Sequence, residues 1–324
     1  MSQVFCAEVD DLAVLALEGG NPFALLQGQL TCDLRQVSPQ QALPGLLCSL
    51  KGRVLSSMEV ISLAEDQWLL VLPADNLALV EAHLKKYQPF YKTQVRDASE
   101  RWHLLGLSGK ESPALLTSLF GGWPSGVYTL HASEPGVILR LPGARTRALV
   151  LLDRQAPDYT ACVEKIQSIS ESTDLGCWKM LDIQAGRAQI GQALSDAYLP
   201  QMLNYQAQGA VSFKKGCYTG QEIVARAQFR GQVKKRLFRV HLACEVPSHL
   251  PQPVWDESGQ TQGEIIQAAS DRQGQTEALA LLSIKATEAA LAFWTGSQDN
   301  PVRLNCLQLP YDPQARIGLH GAEV

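Results

Sequence analysis

The residues that could do chemistry are concentrated in one short segment, residues 215–222, which read KGCYTGQE. Gly216 and Gly220 bracket Cys217, and this spacing is typical of a tight turn with positive φ or a close approach to a partner. The next two residues, Gln221 and Glu222, begin a short apolar run, so the loop is predicted to lead into a helix N-terminus. Adjacent lysines and a helix N-terminus both stabilise a thiolate. We therefore predict a reactive thiol at Cys217, although no histidine lies near it in sequence to accept its proton, and a buried structural cysteine is the alternative.

A local basic cluster surrounds this segment. The cations between residues 213 and 236 face a single acid, Glu222, and they are Lys214, Lys215, Arg226, Arg230, Lys234, Lys235 and Arg236. Such a cluster can receive a phosphate-rich or polycarboxylate ligand, because cations within a Debye length of about 8 Å reinforce one another. A solvated rim is the alternative. The net charge of the whole chain is −4, which weakens the prediction of a pure nucleic-acid-binding protein.

The bulk composition indicates a folded protein of more than one domain. The chain has 324 residues, beyond the roughly 250 to 300 at which one hydrophobic core stops growing. Its eight cysteines form no CxxC pair or cysteine–histidine cluster, so no metal site is expected. The acidic N-terminal segment is unlike a signal peptide, and no run reaches the roughly 20 apolar residues of a membrane span. We expect a cytoplasmic protein with reduced thiols.

Several elements must position the loop. Residues 46–63 read as a hairpin around the tight turn KGR at 51–53, and residues 177–187 read as a helix that ends at Gly186. Beyond Gly231, short strands separated by turn residues predict a small β-barrel or sandwich, with a domain boundary between residues 231 and 235. The succession of strands and helices favours an α+β fold.

Trp178 is the residue of interest on the helix at 177–187. An indole on a helix face is most often part of the core, and its flat face can also stack on an aromatic ligand. The sequence pattern alone leaves both interpretations open.

The segment at 215–222 matches the signature of the YgfZ family, folate-binding proteins related to the T-protein (aminomethyltransferase) of the glycine cleavage system. Other motifs follow in the family's order and spacing, and the resemblance covers at least residues 10–236. These motifs are QGQLTCD at 27–33, KGR at 51–53, Ala185-Gly186, Pro200-Gln201 with Asn204, and Ser212-Phe213.

The resemblance implies a three-domain, ring-like α+β architecture of the aminomethyltransferase type. Residues 1–232 would form two intertwined folate-binding domains, one of them ferredoxin-like, and residues 233–324 a C-terminal β-barrel. It also implies tetrahydrofolate in the central region and a role in assembling or repairing iron–sulfur clusters. The expected partners are iron–sulfur enzymes such as a tRNA thiomethylase, and direct contact with tRNA is not required.

The resemblance further implies site residues. Trp178 corresponds to the family's folate-contacting tryptophan, and Leu12 stands where bacterial relatives can have tryptophan, so it can pack against a pterin but cannot stack. Gln184 stands where the related pattern usually has glutamate, which changes a charge-assisted bond to the folate into a neutral one. The motif residues carried over are Lys215, Gly216, Cys217, Tyr218, Gly220, Gln221, Glu222 and Arg226.

One departure from the aminomethyltransferases bears on activity. Where their Gly-Ile-x-Asp-Asp segment supplies the catalytic aspartate, this chain has Ser56 and Ser57. A hydroxyl cannot stabilise a developing cation or take a proton as an ionised aspartate does. We therefore expect a folate-binding accessory protein without classical turnover, with a folate-dependent one-carbon transferase as the alternative.

Overall fold

The computed structural model describes residues 4–297 and 299–315. The helices are α1 (Pro22–Gln27), α2 (Leu77–Lys85), α3 (Gln88–Tyr91), α4 (Ser112–Phe120), α5 (Tyr159–Ile169), α6 (Leu175–Gln184), α7 (Gln221–Phe229) and α8 (Ile284–Glu288). Short 3-10 helices span Leu34–Gln36, Ala74–Asn76, Gln192–Leu194 and Pro200–Leu203.

The strands belong to two open sheets and a barrel. They are β1 (Phe5–Glu8), β2 (Leu12–Glu18), β3 (Leu43–Cys48), β4 (Val54–Ala64), β5 (Gln67–Pro73), β6 (Gln94–Asp97), β7 (Trp102–Ser108), β8 (Leu130–Ser133), β9 (Gly136–Arg140), β10 (Arg147–Asp153), β11 (Glu171–Ser172), β12 (Lys235–Leu242), β13 (Gln252–Trp255), β14 (Thr261–Ser270), β15 (Thr276–Ser283), β16 (Phe293–Ser297) and β17 (Asn300–Leu307).

The two open sheets are interleaved along the chain. One has the order β3-β4-β5-β2-β6, and the other has the order β11-β1-β7-β10-β9-β8. The chain starts the second sheet with β1, completes the first sheet, and then returns so that β7 pairs antiparallel with β1. The hairpin predicted from residues 46–63 is confirmed as β3 and β4.

A shared core joins the two sheets. Apolar side chains on facing strands meet there, namely Val14, Ile61 and Val71 from the first sheet and Leu104, Val137 and Leu149 from the second. Trp178 on α6 packs in the same cluster. The indole is therefore placed where the two sheets and the helix converge, because burial of these apolar surfaces stabilises that arrangement.

The C-terminal strands close into a barrel with the order β12-β15-β14-β13-β16-β17. The predicted barrel is thus confirmed, and its first strand begins at Lys235. The division of the chain at residues 232 and 233 stays a prediction. The barrel packs against the site through β14 and β15, which both contact α6. No helix among residues 4–297 and 299–315 is long and apolar enough to cross a membrane.

Local signals explain where the two site helices begin and end. The Asp174 carboxylate accepts a hydrogen bond of 2.8 Å from the Cys177 amide and caps α6, and the chain leaves the helix at Gly186 with φ +67°. Helix α7 follows Gly220, which has φ +83°. The predicted helix after the cysteine loop is therefore confirmed.

Candidate functional site

Lys215 attaches the loop at residues 215–220, which we call the cysteine loop, to the end of α1 and the segment that follows it. Its ammonium donates hydrogen bonds to the carbonyl oxygens of Gln27 and Leu30, both at 2.7 Å, and of Cys32 at 2.8 Å. The side chain is buried, and burial lowers the pKa of Lys215 to about 8. The Lys215 ammonium therefore fixes the loop through buried carbonyl oxygens. Its charge is directed at these oxygens and not at Cys217.

Cys217 is exposed, so the structure agrees with the prediction of a presented thiol. The two glycines beside it differ. A Cβ added to Gly220 would lie 2.4 Å from the Ser49 carbonyl oxygen, so both its φ of +83° and its close approach require glycine. Gly216 has neither a positive φ nor any atom within 4 Å of an added Cβ among the described residues, so a positive φ is not found there and a close approach of Gly216 to a partner stays a prediction.

The tip of the β3–β4 hairpin supports the end of the loop. A Cβ added to Gly52 would lie 2.9 Å from the Ile223 Cβ and 3.2 Å from the Gly220 carbonyl oxygen. The KGR turn and the cysteine loop, which are far apart in sequence, therefore form one surface. This contact explains why two separate motifs in the chain both contain glycine.

A histidine reaches the loop through an intervening amide, which sequence reasoning did not identify. Gln29 Oε1 lies 2.9 Å from His83 Nε2 and accepts a hydrogen bond of 3.3 Å from Thr219. Burial lowers the pKa of His83, and the charge on Lys86 adds to that effect. The loop that carries Cys217 is thus connected by hydrogen bonds, through Gln29, to the imidazole of His83 near the end of α2. The lowered pKa of His83 favours its neutral form.

Only part of the basic cluster is exposed, including Lys214, Arg230 and Lys234. Lys215 is buried, Arg226 pairs with Glu222 at 3.2 Å, and Arg236 donates to the carbonyl oxygen of Pro313. The pair within α7 is the only role the structure gives to Glu222 among the described residues. Three of the predicted cations are therefore engaged within the protein.

Trp178 is packed tightly and is only 3% exposed. An added Cβ at Gly106 on β7 would lie 2.5 Å from its ring, so only glycine lets the indole approach this strand. The guanidinium of Arg147 lies 5.3 Å from the ring centroid. Trp178 is thus a core residue that also lines two cavities, and its predicted role in ligand stacking stays a proposal.

The first cavity lies at the centre of the molecule and has a volume of about 30 Å³, room for about one water molecule. Its walls include Leu12, Trp178 and Tyr128, and it also contains the buried carboxylates of Glu59 and Asp182. Two of the three residues that the resemblance assigned to folate therefore lie together here.

The second cavity lies on the other side of Trp178 and has a volume of about 140 Å³. Gln184 lines it together with Trp178, and the cations Arg145 and Arg272 stand in its wall. The Gln184 amide also donates a hydrogen bond of 3.3 Å to Glu277 on the barrel. Gln184 and Leu12 are therefore separated by the indole, so the predicted folate residues are not brought into one cavity.

A buried network of charges lines the central cavity, and sequence reasoning missed it. Arg147 pairs with Asp182 at 2.8 Å, and Arg187 pairs with Asp182 at 3.0 Å and with Glu59. Burial raises the pKa of Glu59, and the charge of Arg187 opposes that rise. The available signal was Glu59 itself, an acid within the apolar run of strand β4.

The two serines at the position of the missing aspartate differ in environment. Ser57 lines the central cavity, and its hydroxyl accepts a hydrogen bond of 2.9 Å from the Ile190 amide. Ser56 is buried and donates to the Ser57 carbonyl oxygen at 3.2 Å. Glu59 stands two residues further along the same strand and lines the same cavity. The cavity therefore keeps a carboxylate on this strand.

No group of histidine, cysteine or acidic residues suited to a metal ion occurs in the part of the chain that the structure describes. Its cysteines are free, and Cys217 and Cys306 are the exposed ones. Among the described residues the exposed thiols are therefore those of Cys217 and Cys306, and Cys217 lies two residues from the anchored Lys215.

Comparisons with known proteins agree with this architecture. Residues 1–126 match the family described as the GCVT N-terminal domain. The crystal structure of the glycine cleavage system aminomethyltransferase T from Bartonella henselae superposes with a TM-score of 0.76 at 17% identity, over 97% of this chain and 87% of that chain. This likeness confirms the predicted aminomethyltransferase-like α+β fold.

A curated relative extends the match along the sequence. The tRNA-modifying protein YgfZ of Colwellia psychrerythraea is 30% identical over 247 residues, which cover 76% of this chain and 74% of that protein. Together with the cysteine loop predicted and found at residues 215–222, this identity shows that the chain belongs to the YgfZ family.

Proposed function

We propose that this protein binds a folate, as tetrahydrofolate, at Trp178 and supports the assembly or repair of iron–sulfur clusters in other cytoplasmic enzymes. The observation that carries the proposal is the position of the indole, which forms a wall of both the central cavity and the 140 Å³ cavity. A flat aromatic wall flanked by polar groups suits a ring with a polar edge.

The residues around Trp178 fit the chemistry of a folate. Glu59 Oε2 and the Tyr128 hydroxyl are buried in the central cavity and have no hydrogen-bond partner within the described ranges, so they can bond a pterin edge. Arg145, an exposed cation in the wall of the second cavity, suits a carboxylate of a glutamate tail, whereas Arg272 in the same wall already pairs with Glu171. A bound folate would supply a carrier for one-carbon units, and these side chains would hold and orient it.

The loop around Cys217 suits a partner protein. Its thiol is exposed while Lys215 and Gly220 hold the loop against the body of the protein. We assign the client enzymes to the iron–sulfur class, including a tRNA thiomethylase, on the resemblance to the family; the name of the Colwellia relative, a tRNA-modifying protein, supports only the link to tRNA modification. Direct contact with tRNA is not required, since the role acts through the modifying enzymes.

Titration of tetrahydrofolate against tryptophan fluorescence tests the folate part of this proposal. We expect quenching in the wild-type protein and a clear loss of it in Trp178→Phe. Trp123→Phe is the matched control, because Trp123 stacks with Arg140 and lines neither cavity described above. Absence of quenching in both the wild type and the control would reject folate binding.

A folate-dependent one-carbon transferase is the alternative. Glu59 favours it, because this carboxylate faces the cavity from the strand that carries Ser57. Turnover of a folate one-carbon donor by the purified protein, lost in Glu59→Gln, would support the transferase. A protein that binds tetrahydrofolate without any turnover would contradict it.

A further inference from the structure

Arg187 lines the central cavity together with Trp178. Its guanidinium donates to Glu59 and, at 3.0 Å, to Asp182, and it lies 5.9 Å from the centroid of the Tyr128 ring. Its side chain is 11% exposed. The volume left beside it, about 30 Å³, is that of about one water molecule, so no two-ring ligand fits while Arg187 stays in place.

The group that fills this space resembles part of the proposed ligand. A guanidinium carries adjacent N–H donors on one carbon, and it matches a carboxylate with parallel hydrogen bonds. The 2-amino-4-oxopyrimidine ring of a pterin contains the same unit, a carbon bonded to three nitrogens, with adjacent donors on the ring nitrogen and the amino group. A carboxylate that pairs with one can therefore pair with the other.

We propose that Arg187 is an internal competitor for the pterin site, and that Glu59 is the residue that recognises the donor edge of the ligand once Arg187 has moved away. This inference rests on the proposed binding of a folate. Glu59 is then the carboxylate that determines the specificity of that site, because Gln184 in this chain lacks the charge that the related sequence pattern supplies.

The hydrogen-bond network shows which partner depends on Arg187. After Arg187 leaves, Asp182 keeps Arg147 at 2.8 Å and Gln189 at 3.0 Å. Glu59 keeps nothing comparable, because its second oxygen has no partner among the described residues. Movement of Arg187 thus leaves Glu59 as a buried carboxylate without a partner, and the N–H donors of the ligand can satisfy it.

Competition makes a prediction opposite to that of a purely structural ion pair. If only a fraction of the free protein has an open cavity, its apparent affinity is reduced by that fraction, and removing the competitor restores it. A structural pair would hold the site in shape, so its loss would weaken ligand binding. The sign of the change in affinity separates the two roles.

The test measures tetrahydrofolate binding by calorimetry, with folding checked by circular dichroism. We expect Arg187→Leu to bind at least about tenfold more tightly than the wild type and Glu59→Gln to bind at least about tenfold more weakly. The double variant E59Q/R187L should lose the gain of R187L. Arg303→Leu, an exposed change on β17 that lines neither cavity, is the control and should leave the affinity for tetrahydrofolate unchanged.

If the leucine variant does not fold, Arg187→Lys replaces it in the test. Lysine keeps a positive charge for Glu59 but presents no parallel donors. This variant should bind more tightly than the wild type, though less tightly than R187L. A folded R187L or R187K with unchanged or weaker affinity overturns the competitor role while folate binding stands. If the wild type, R187L and R187K all fail to bind tetrahydrofolate, the proposed function and this inference both fail.

Discussion

The ammonium nitrogen of Lys215 lies 2.7 Å from the carbonyl oxygen of Leu30, a residue 185 positions earlier in the chain. Cys217, two residues on, is thereby attached to the end of α1 and to the segment that follows it, residues 30–32. The contact is buried, and hydrogen bonds to charged groups contribute about 1.5 to 3 kcal/mol each. The position of the cysteine loop thus depends on contacts with a segment that is far from it in sequence.

Lys215 should make stability depend on pH. Burial lowers its pKa to about 8 in the folded protein, from an ordinary value of 10.5 in an unfolded chain. Between those values the unfolded chain binds more protons, so the free energy of unfolding rises with pH there and is flat below about 8. Urea unfolding should show this rise in the wild type relative to Lys215→Met. The same comparison with the exposed Lys214→Met should show none, and equal slopes for both would contradict the assignment.

Gly220→Ala should destabilise the protein by about 2 kcal/mol or more. A side chain at φ +83° is strained, and its Cβ would clash with the Ser49 carbonyl oxygen. Gly216→Ala is the matched control and should change the free energy of unfolding by less than about 0.5 kcal/mol. Thermal and urea unfolding measure both, and similar losses in the two variants would show that the loop has a different anchor.

Gly106→Ala should displace the indole of Trp178. The added methyl group would lie 2.5 Å from the ring, and overpacking of this kind costs about 1 to 3 kcal/mol. We expect lower stability, a shifted tryptophan emission and loss of quenching by tetrahydrofolate. Gly28→Ala, where the nearest atom lies 3.9 Å away, should change none of these. Retained quenching in a folded G106A protein would argue against a ligand at this ring.

Cys217→Ala should leave stability unchanged within about 0.5 kcal/mol, because the thiol is exposed. In cells it should lower tRNA thiomethylation if the thiol takes part in the proposed role. Cys306→Ala, an exposed cysteine on the barrel, should leave both properties unchanged. Full thiomethylation with Cys217→Ala would exclude an essential thiol.

The local parts of the site were predictable from sequence. Gly220 and the helix after it are marked by neighbouring residues, and the hairpin around residues 51–53 by a tight turn between two strand-like runs. The same reasoning did not separate Gly216, which has no positive φ and no described atom within 4 Å of an added Cβ, from Gly220, since a sequence shows where a glycine stands and not which atoms approach it.

The buried charges were not predictable in the same way. Glu59 and Arg187 meet across 128 residues, and a charged residue in a strand is ordinarily expected to face solvent. The contact of His83 with Gln29 spans 54 residues and depends on how α2 packs. Such pairings follow from the packing of whole sheets, which no local pattern encodes.

The contacts of Lys215 and Gly220 have a consequence for how the thiol is used. Both ends of a six-residue arch are fastened, one to α1 and one to the hairpin tip, and only a few residues of chain lie between them. A segment this short that is fixed at both ends can move only a small distance, so the sulfur of Cys217 cannot reach a distant acceptor. A group that reacts with Cys217 therefore has to approach the thiol, because the loop itself cannot carry the sulfur to that group.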